Sequence, residues 1–304
     1  GLGGGNFSSF MPSTSLFFPK KLQGTALGIQ AGIGNFGVSV VQFVAPAILG
    51  IALIGLPQTF VKDGKESSIF LQNVSWIWVP FVLIGSVVAW FGLRSVPVQA
   101  SFKEQLDIFK DKHTWLMTSL YVMTFGSFSG LAATFPLLIK QLFGGFENAP
   151  EPLAFAFLGP LVGAVVRAAA GPVADKVGGA KVTLVSAVGL TVCSVLMIPY
   201  AAPQSMAAWP GFLWLMLGLF LFSGIGNAST FKQMPMIFPP RQAGGVIGWT
   251  SAIAAYGPFI FSILLGSIMG TGKNASSFFI GLAVFCFLNL ILNWWFYARR
   301  NAEK

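Results

Sequence analysis

Residues 1–37 and 222–257 carry the same text twice. Near the start stand Gly5-Asn6-Phe7-Ser8-Ser9-Phe10, Phe17-Phe18-Pro19-Lys20, Gly24, Gly28 and Phe36-Gly37. Downstream stand Gly226-Asn227-Ala228-Ser229-Thr230-Phe231, Phe238-Pro239-Pro240-Arg241, Gly245, Gly248 and Tyr256-Gly257, with a single residue lost along the way. A repeat of this length in apolar sequence predicts two related halves packed as helical membrane bundles. The first copy begins at residue 1, so the part of the first half that would precede it is expected to be missing from this chain.

Composition sets the solvent. The chain is 55% hydrophobic and 9% charged, where a soluble domain carries about 25% charge. The surplus is too large for a core, so a lipid bilayer must cover it. In lipid every backbone group must be paired internally, which leaves helices as the expected spans, each of about 20 residues. The 31 Phe suit lipid-facing and interhelical packing, and the 36 Gly suit close helix approach. The net charge of +9 sits in short connectors, which argues for membrane orientation and against nucleic acid as a partner. Cys193 and Cys286 lie far apart within apolar runs. Neither forms a metal or disulfide pattern, and no metal or cofactor is expected.

Nine spans are predicted: about 1–18, 24–56 (ending near Leu53), 74–93, 114–139, 153–174, 181–202, 209–238, 244–270 and 276–298. Alternate connectors divide the charge. One set holds Lys20, Lys21, Arg94, Lys103, Lys110, Lys112, Lys176, Lys181, Arg241, Arg299, Arg300 and Lys304, and the other holds Lys62, Lys65, Lys140 and Lys273. That asymmetry predicts a cytoplasmic side for the first set and for the C-terminus. Both repeat copies run helix, cytoplasmic loop, helix, so the repeat is parallel. The first two spans correspond to the seventh and eighth, a shift of six helices. Six-helix halves in parallel repeat describe the major facilitator architecture. The expected fold is thus an all-α membrane protein carrying helices 4–12 of 12. Residues 1–93 would be the remainder of the N-terminal half, 94–113 a cytoplasmic central loop, and 114–304 the C-terminal half. The segment Gly171-Pro172-Val173-Ala174-Asp175-Lys176-Val177-Gly178-Gly179 resembles the G-x-x-x-D-R/K-x-G loop of that superfamily. On that resemblance Asp175 and Lys176 serve the gating interface; otherwise they are an ordinary polar loop.

Three features carry candidate chemistry. Arg167 lies about two turns inside its span among small and apolar residues. An intramembrane Arg costs at least ~2.5–3.5 kcal/mol, so it should face a cavity or a partner. The acidic residues lie at span ends, in loops or in the tail, so an anionic ligand is the fitting partner, and a planar fork suits a planar oxyanion. The alternative is an Arg that snorkels to the interface. Secondly, Gly32-Ile33-Gly34-Asn35-Phe36-Gly37 matches G-x-G-x-x-G but has no preceding strand and lies in an apolar span, which excludes a dinucleotide site. Its glycines admit a neighbouring helix, and Asn35 offers an amide to a small substrate or acts as interhelical glue. Thirdly, Phe7, Tyr121 and Phe125 fall on helices expected to face the cavity, the last two one turn apart. Such rings could sandwich a flat ion, or be core like most Phe here.

The stretches Gly4–Lys20, Gly24–Gly28 and Gly32–Ser39 resemble the first nitrate signature of the nitrate/nitrite porter (NarK-type) family, and Gly244–Gly257 resembles the second. Leu120–Phe128 resembles that family's helix 7. The resemblance implies a central anion site between two Arg residues, of which Arg167 matches the one on helix 8. It further implies that Asn35, Phe7, Tyr121, Phe125, Gly32 and Gly248 line the site. Ala31 stands where some members have Gly. The implied activity is secondary transport of nitrate and nitrite by a monomer in the bacterial cytoplasmic membrane. Exchange is the expected mode, because anion entry against a negative interior costs ~2.3 kcal/mol per 100 mV and one-for-one exchange removes that cost. Proton symport, or another small anion as substrate, is the alternative. No Asp, Glu or His is predicted within the membrane; the single His, His113, is placed in the central loop, and Lys232 in a span but within reach of the cytoplasm.

Overall fold

A computed structural model describes residues 2–62, 65–94, 102–270 and 274–303; the side chains of 2–9, 62, 65 and 102 lie outside the description. In chain order it forms α1 (Leu2–Phe17), α2 (Gln23–Ile48), the strands β1 (Gln58–Lys62) and β2 (Lys65–Ile69), α3 (Asn73–Trp76), α4 (Val79–Gly92) and α5 (Phe102–Gln105). Then follow α6 (Lys112–Tyr121), a π-helical turn (Val122–Gly126), α7 (Ser127–Phe143), α8 (Pro152–Phe155) and α9 (Leu158–Val177). The chain closes with α10 (Gly179–Met197), α11 (Trp209–Ile237), α12 (Pro240–Ala254), α13 (Gly257–Met269) and α14 (Ser276–Asn293), the last running into a second π turn (Trp294–Ala298).

Eight helical stretches among the described residues are long and apolar enough to cross a membrane. They correspond one for one to the second through ninth predicted spans. The first predicted span is helix α1, whose 16 residues make roughly 24 Å, less than the hydrocarbon thickness of ~30 Å.

Three sequence expectations change. The second span stops at Ile48 rather than near Leu53. The reason is a polar anchor: Asn73 Nδ2 donates to the carbonyls of Ile48 at 3.1 Å and Ile51 at 2.5 Å, and Phe70 N donates to Leu49 O at 2.8 Å. The connector 57–73, read as loop, holds the antiparallel pair β1–β2, with Gln58 opposite Ile69 and Lys62 opposite Lys65. Finally, His113 is not in a loop. It sits in the first turn of α6, 3% exposed. Asp111 N-caps that helix by accepting from His113 N at 2.8 Å, and the imidazole Nδ1 lies 2.9 Å from Tyr297 Oη.

Two compact units result, Gly1–Ser39 with Val98–Lys304, and Val40–Pro97. The second holds the end of α2, the hairpin and α4. In α4 no residue is buried, and Trp90 and Phe91 are each 83% exposed, a surface that only lipid or another apolar face can cover.

The first unit is built by glycine notches that receive aromatic rings. A Cβ at Gly159 would meet the Phe220 ring, at Gly163 the Phe128 ring, at Gly189 the Phe222 ring and at Gly130 the Phe261 ring, each closer than 3.0 Å. Two of those rings contact each other, Phe128 meeting Phe220 edge-on at 5.8 Å, and Phe135 adds a third ring 6.0 Å from Phe220. α11 packs along both α9 and α10, and α10 along α14. The repeat is visible in the backbone. Pro19 precedes the start of the second helix of copy one with φ −64°, ψ 151°, and Pro239 does so in copy two with φ −62°, ψ 154°. A fixed proline φ and an extended ψ turn the chain between two helices in the same way twice. The copies also meet in space, since α1 packs against α12.

Candidate functional site

Arg167 is placed by α9. Ten residues separate it from the helix end at Val177, about 15 Å, and its side chain is 0% exposed. It therefore does not snorkel. Its Nη2 donates to Tyr121 Oη at 3.2 Å, and its guanidinium carbon lies over the rings of Phe231 at 5.2 Å and Phe125 at 5.7 Å. Tyr121 stacks on Phe231 at 4.5 Å and on Phe125 at 5.4 Å with an interplanar angle of 8°. The result is an aromatic wall carrying one guanidinium. Desolvated cation–π contacts are worth about 2 kcal/mol each, so the two together are comparable to the roughly 2.5–3.5 kcal/mol that an intramembrane Arg costs.

The wall spans three elements. Tyr121 ends α6 and Phe125 lies in the π turn that follows it, a local widening that recurs at functional sites. Phe231 belongs to α11. Sequence reasoning misses it as a site residue, although the repeat pairs it with Phe10. One turn before Phe231 on the same helix, Asn227 is 0% exposed, and neither atom of its amide makes a hydrogen bond.

The stripe Gly24, Gly28, Gly32 of α2 lies antiparallel on α9. A Cβ at Gly24 would come within 2.9 Å of Gly171 O, at Gly28 within 3.1 Å of Arg167 O, and at Gly32 within 2.9 Å of Ala164 O. Ser39 Oγ donates to Phe157 O at 2.9 Å and closes the far end of the stripe. Gly34 and Gly37 face open space, so of the G-x-G-x-x-G match only the first glycine makes a helix contact. Asn35, one turn beyond Ala31, is buried, and its Nδ2 makes no hydrogen bond. Gly248 is half-buried on α12. Phe7 lies on α1, but its side chain is outside the described residues. The structure thus brings Arg167, Tyr121 and Phe125 together, seats Gly32 against the helix that carries Arg167, and leaves Gly248 on a different helix.

About two turns closer to the end of α9 is a second polar cluster. Asp175 accepts from Gly24 N at 2.9 Å, from Thr25 N at 2.7 Å and from Thr25 Oγ1 at 2.7 Å. Those amides are orphan donors at the start of α2, so the carboxylate caps a helix other than its own. It also pairs with Lys232 Nζ at 2.7 Å, and that ammonium donates to Lys20 O as well. Lys232 is 5% exposed, so its charge is held by the pair and not by solvent. Lys176 is exposed on the rim of an open cleft of about 740 Å³ that Lys20, Lys21, Lys181 and Arg299 also line. Among the described residues no cluster of His, Cys, Asp and Glu could hold a metal ion.

The chain has clear relatives. Residues 1–235 match the Major Facilitator Superfamily as a sequence family. The whole chain is 61% identical to the probable nitrate/nitrite antiporter NarK2 of Thermus thermophilus and covers 70% of its length. It is 35% identical to the nitrate/nitrite transporter NarU of Escherichia coli, again over 70% of the relative. Among solved structures it is similar to the Escherichia coli fucose:proton symporter FucP, with a TM-score of 0.67 at 13% identity, covering 95% of this chain and 72% of that one. A cage of aromatic rings around a buried arginine, on a fold shared with a solved symporter and in a sequence shared with NarK-type proteins, has one consistent assignment: the chain is a multi-pass membrane protein that belongs to the nitrate/nitrite transporter family of the major facilitator superfamily.

Proposed function

We propose that this chain forms part of a secondary transporter of nitrate and nitrite that works by alternating access, exchanging one anion for the other. The observation that carries the reading is Arg167, fully buried, fixed by Tyr121 Oη and backed by two aromatic faces. A planar guanidinium offers two parallel donors to a planar oxyanion. The apolar wall penalises hydrated or bulkier ions that cannot shed water. Tyr121 and Phe125 lie at stacking distance from one another, so a flat ion would rest against the pair and not between its members. Asn35, Phe7, Gly32 and Gly248 complete the site in this reading, and Asn227 adds an amide one turn from Phe231.

The halves would be residues 1–93 and 114–304, joined by a cytoplasmic loop at 94–113. Asp175 and Lys232 clamp α2 to α9 and α11, a contact across those halves that must break when the opposite side closes. In this reading Asp175 is a gate latch, and Lys176 lies at its mouth. Lys20, Lys21, Lys176, Lys181 and Arg299 share one cleft, which supports placing them, and the C-terminus with them, on the cytoplasmic side.

Exchange is favoured over proton symport because the acidic and imidazole side chains in the eight spans are Asp175 and His113; Asp175 serves the latch and His113 lies against Tyr297 and Glu303, so neither belongs to the Arg167 cage. The experiment is uptake of labelled nitrate by proteoliposomes holding the full-length transporter. Internal nitrite should accelerate uptake, and a pH gradient alone should not. Uptake that requires the gradient and ignores internal nitrite would replace exchange by symport. Uptake of organic carboxylates in preference to nitrate would replace the substrate.

A further inference from the structure

A groove on the outer face of α9 and α10 remains outside the transport reading. Val166, Ala169 and Val173 of α9, Val185 of α10 and Ile225 of α11 line it, and its volume is about 430 Å³. Its single charged lining residue is Lys181, at one end. Lys181 and Val177 also line the basic cleft described above, so the apolar groove and the cleft are continuous. The cleft presents six cationic side chains and one carboxylate, Asp175, which already holds Lys232 and the start of α2. Arg299 lies against the face of Trp295 at 4.1 Å, and Trp295 is 48% exposed, an aromatic and a cation at the level where headgroups lie.

We infer that this continuous surface binds one anionic glycerophospholipid, its phosphate at Lys176 and Lys181 and an acyl chain in the groove. Length agrees with that occupant. From Val177 to Val166 the groove follows eleven residues of α9, roughly 16 Å, close to half of the ~30 Å hydrocarbon core. One leaflet's acyl chain fits that depth. Apart from Lys181 at one end, the lining is β-branched or alanine, so no long apolar side chain of the protein fills the space. The headgroup would sit beside Asp175, at the same end of α9 as the latch, which places lipid charge next to the α2–α9–α11 clamp. This inference rests on the membrane fold and not on the substrate assigned above.

The test uses the full-length transporter in a neutral detergent, with lipid retention read by native mass spectrometry and Tm read alongside. Phosphatidylglycerol is compared with phosphatidylcholine and with water-soluble glycerol phosphate. Phosphatidylglycerol should be retained about 25-fold more strongly than phosphatidylcholine, roughly fivefold for each of two interfacial lysines, and should raise Tm. Lys176→Gln with Lys181→Gln should abolish that preference. Lys140→Gln, on the opposite set of connectors, should leave it intact. Val185→Trp, on the exposed rim, should weaken retention of both lipids by filling the groove. Equal retention of the two lipids by the unaltered protein overturns the inference. So does an equal Tm rise with glycerol phosphate, which would make the cleft a soluble-phosphate site, or an unchanged preference in the double lysine variant.

Discussion

Arg167 is held by geometry that an ammonium cannot copy. Its fork reaches Tyr121 while its guanidinium carbon lies over Phe125 and Phe231. Arg167→Lys retains the charge but loses the paired donors and the planar face, so nitrate uptake should fall below detection while the protein still folds and inserts. Near-normal uptake would remove Arg167 from the site. Tyr121→Phe keeps the stack and deletes one acceptor of a charge-assisted bond worth about 1.5–3 kcal/mol. The expected outcome is a rise in KM of about tenfold or more, measured as initial uptake against nitrate concentration, with the fold intact. Arg167, Tyr121 and Phe125 are legible as site candidates in the sequence: Arg because an intramembrane charge is costly, the rings because a family resemblance singles them out. Phe231 and Asn227 are not, because one Phe among 31 and one of two side-chain amides in a 29-residue apolar helix carry no mark of the direction in which they point.

At the level of elements, α2 and α9 meet backbone to backbone. A Cβ at Gly171 would lie 2.4 Å from Gly24 O, and a carbonyl on a helix cannot move aside as a side-chain tip can. Gly171→Ala should therefore lower stability by about 1–3 kcal/mol, read as a drop in Tm in detergent. Gly34→Ala is the contrasting case. It meets open space, and the change favours helix by up to about 1 kcal/mol, so Tm should hold or rise. The latch is the other element-scale device. Asp175 and Lys232 have side chains each 7% exposed, and breaking a buried pair by removing one partner costs about 3–5 kcal/mol. Asp175→Asn should loosen α2 from α9 and α11, which a spin-label pair placed on α2 and α11 would report as a longer distance. An unchanged distance distribution would show that the glycine stripe alone holds the clamp. The hairpin β1–β2 is absent from the expected spans and connectors, although Asp63-Gly64, a turn-forming dipeptide between Val- and Ile-bearing runs, is a signal that could have found it.

Across the whole molecule, two exposed ion pairs tie the segment before α6 and the first turn of α6 to distant parts of the first unit. Asp107 accepts from Arg241 and from Gln242 Nε2, the latter at 3.0 Å. The Arg241 hydrogen bond, assisted by Gln242, holds the Asp107 carboxyl below its ordinary range. Glu303 pairs with Lys112 at 2.6 Å and approaches His113 Nε2 at 3.4 Å, and the Lys112 hydrogen bond likewise lowers its pKa. A depressed carboxylate contributes stability that is present above its unfolded value and lost as pH falls through the folded one. Both ties should hold from pH 8 down to about 5 and fail below the ordinary carboxylate range near 4. Amide exchange across 103–112, corrected for its intrinsic rate, should accelerate only in that acid window. Acceleration between pH 8 and 6 would point to another group. High salt should weaken the same ties, because exposed pairs are screened.

By itself the sequence determined the solvent, the number and limits of most spans, their alternating charge and the doubled helix–proline–helix text. Together these imply one architecture, because a period of apolar length and a count of basic residues are local quantities that need no partner. Tertiary structure alone decided which face meets which: α1 against α12, α2 against α9 through Gly24, Gly28 and Gly32, Phe231 under Arg167, and Lys232 on Asp175. The physical reason is that apolar helices in lipid gain little from any one pairing by hydrophobicity. The choice falls to shape, to a glycine notch that fits a ring or a backbone, and to the few polar groups that must find each other, and neither is written in the order of residues along one helix.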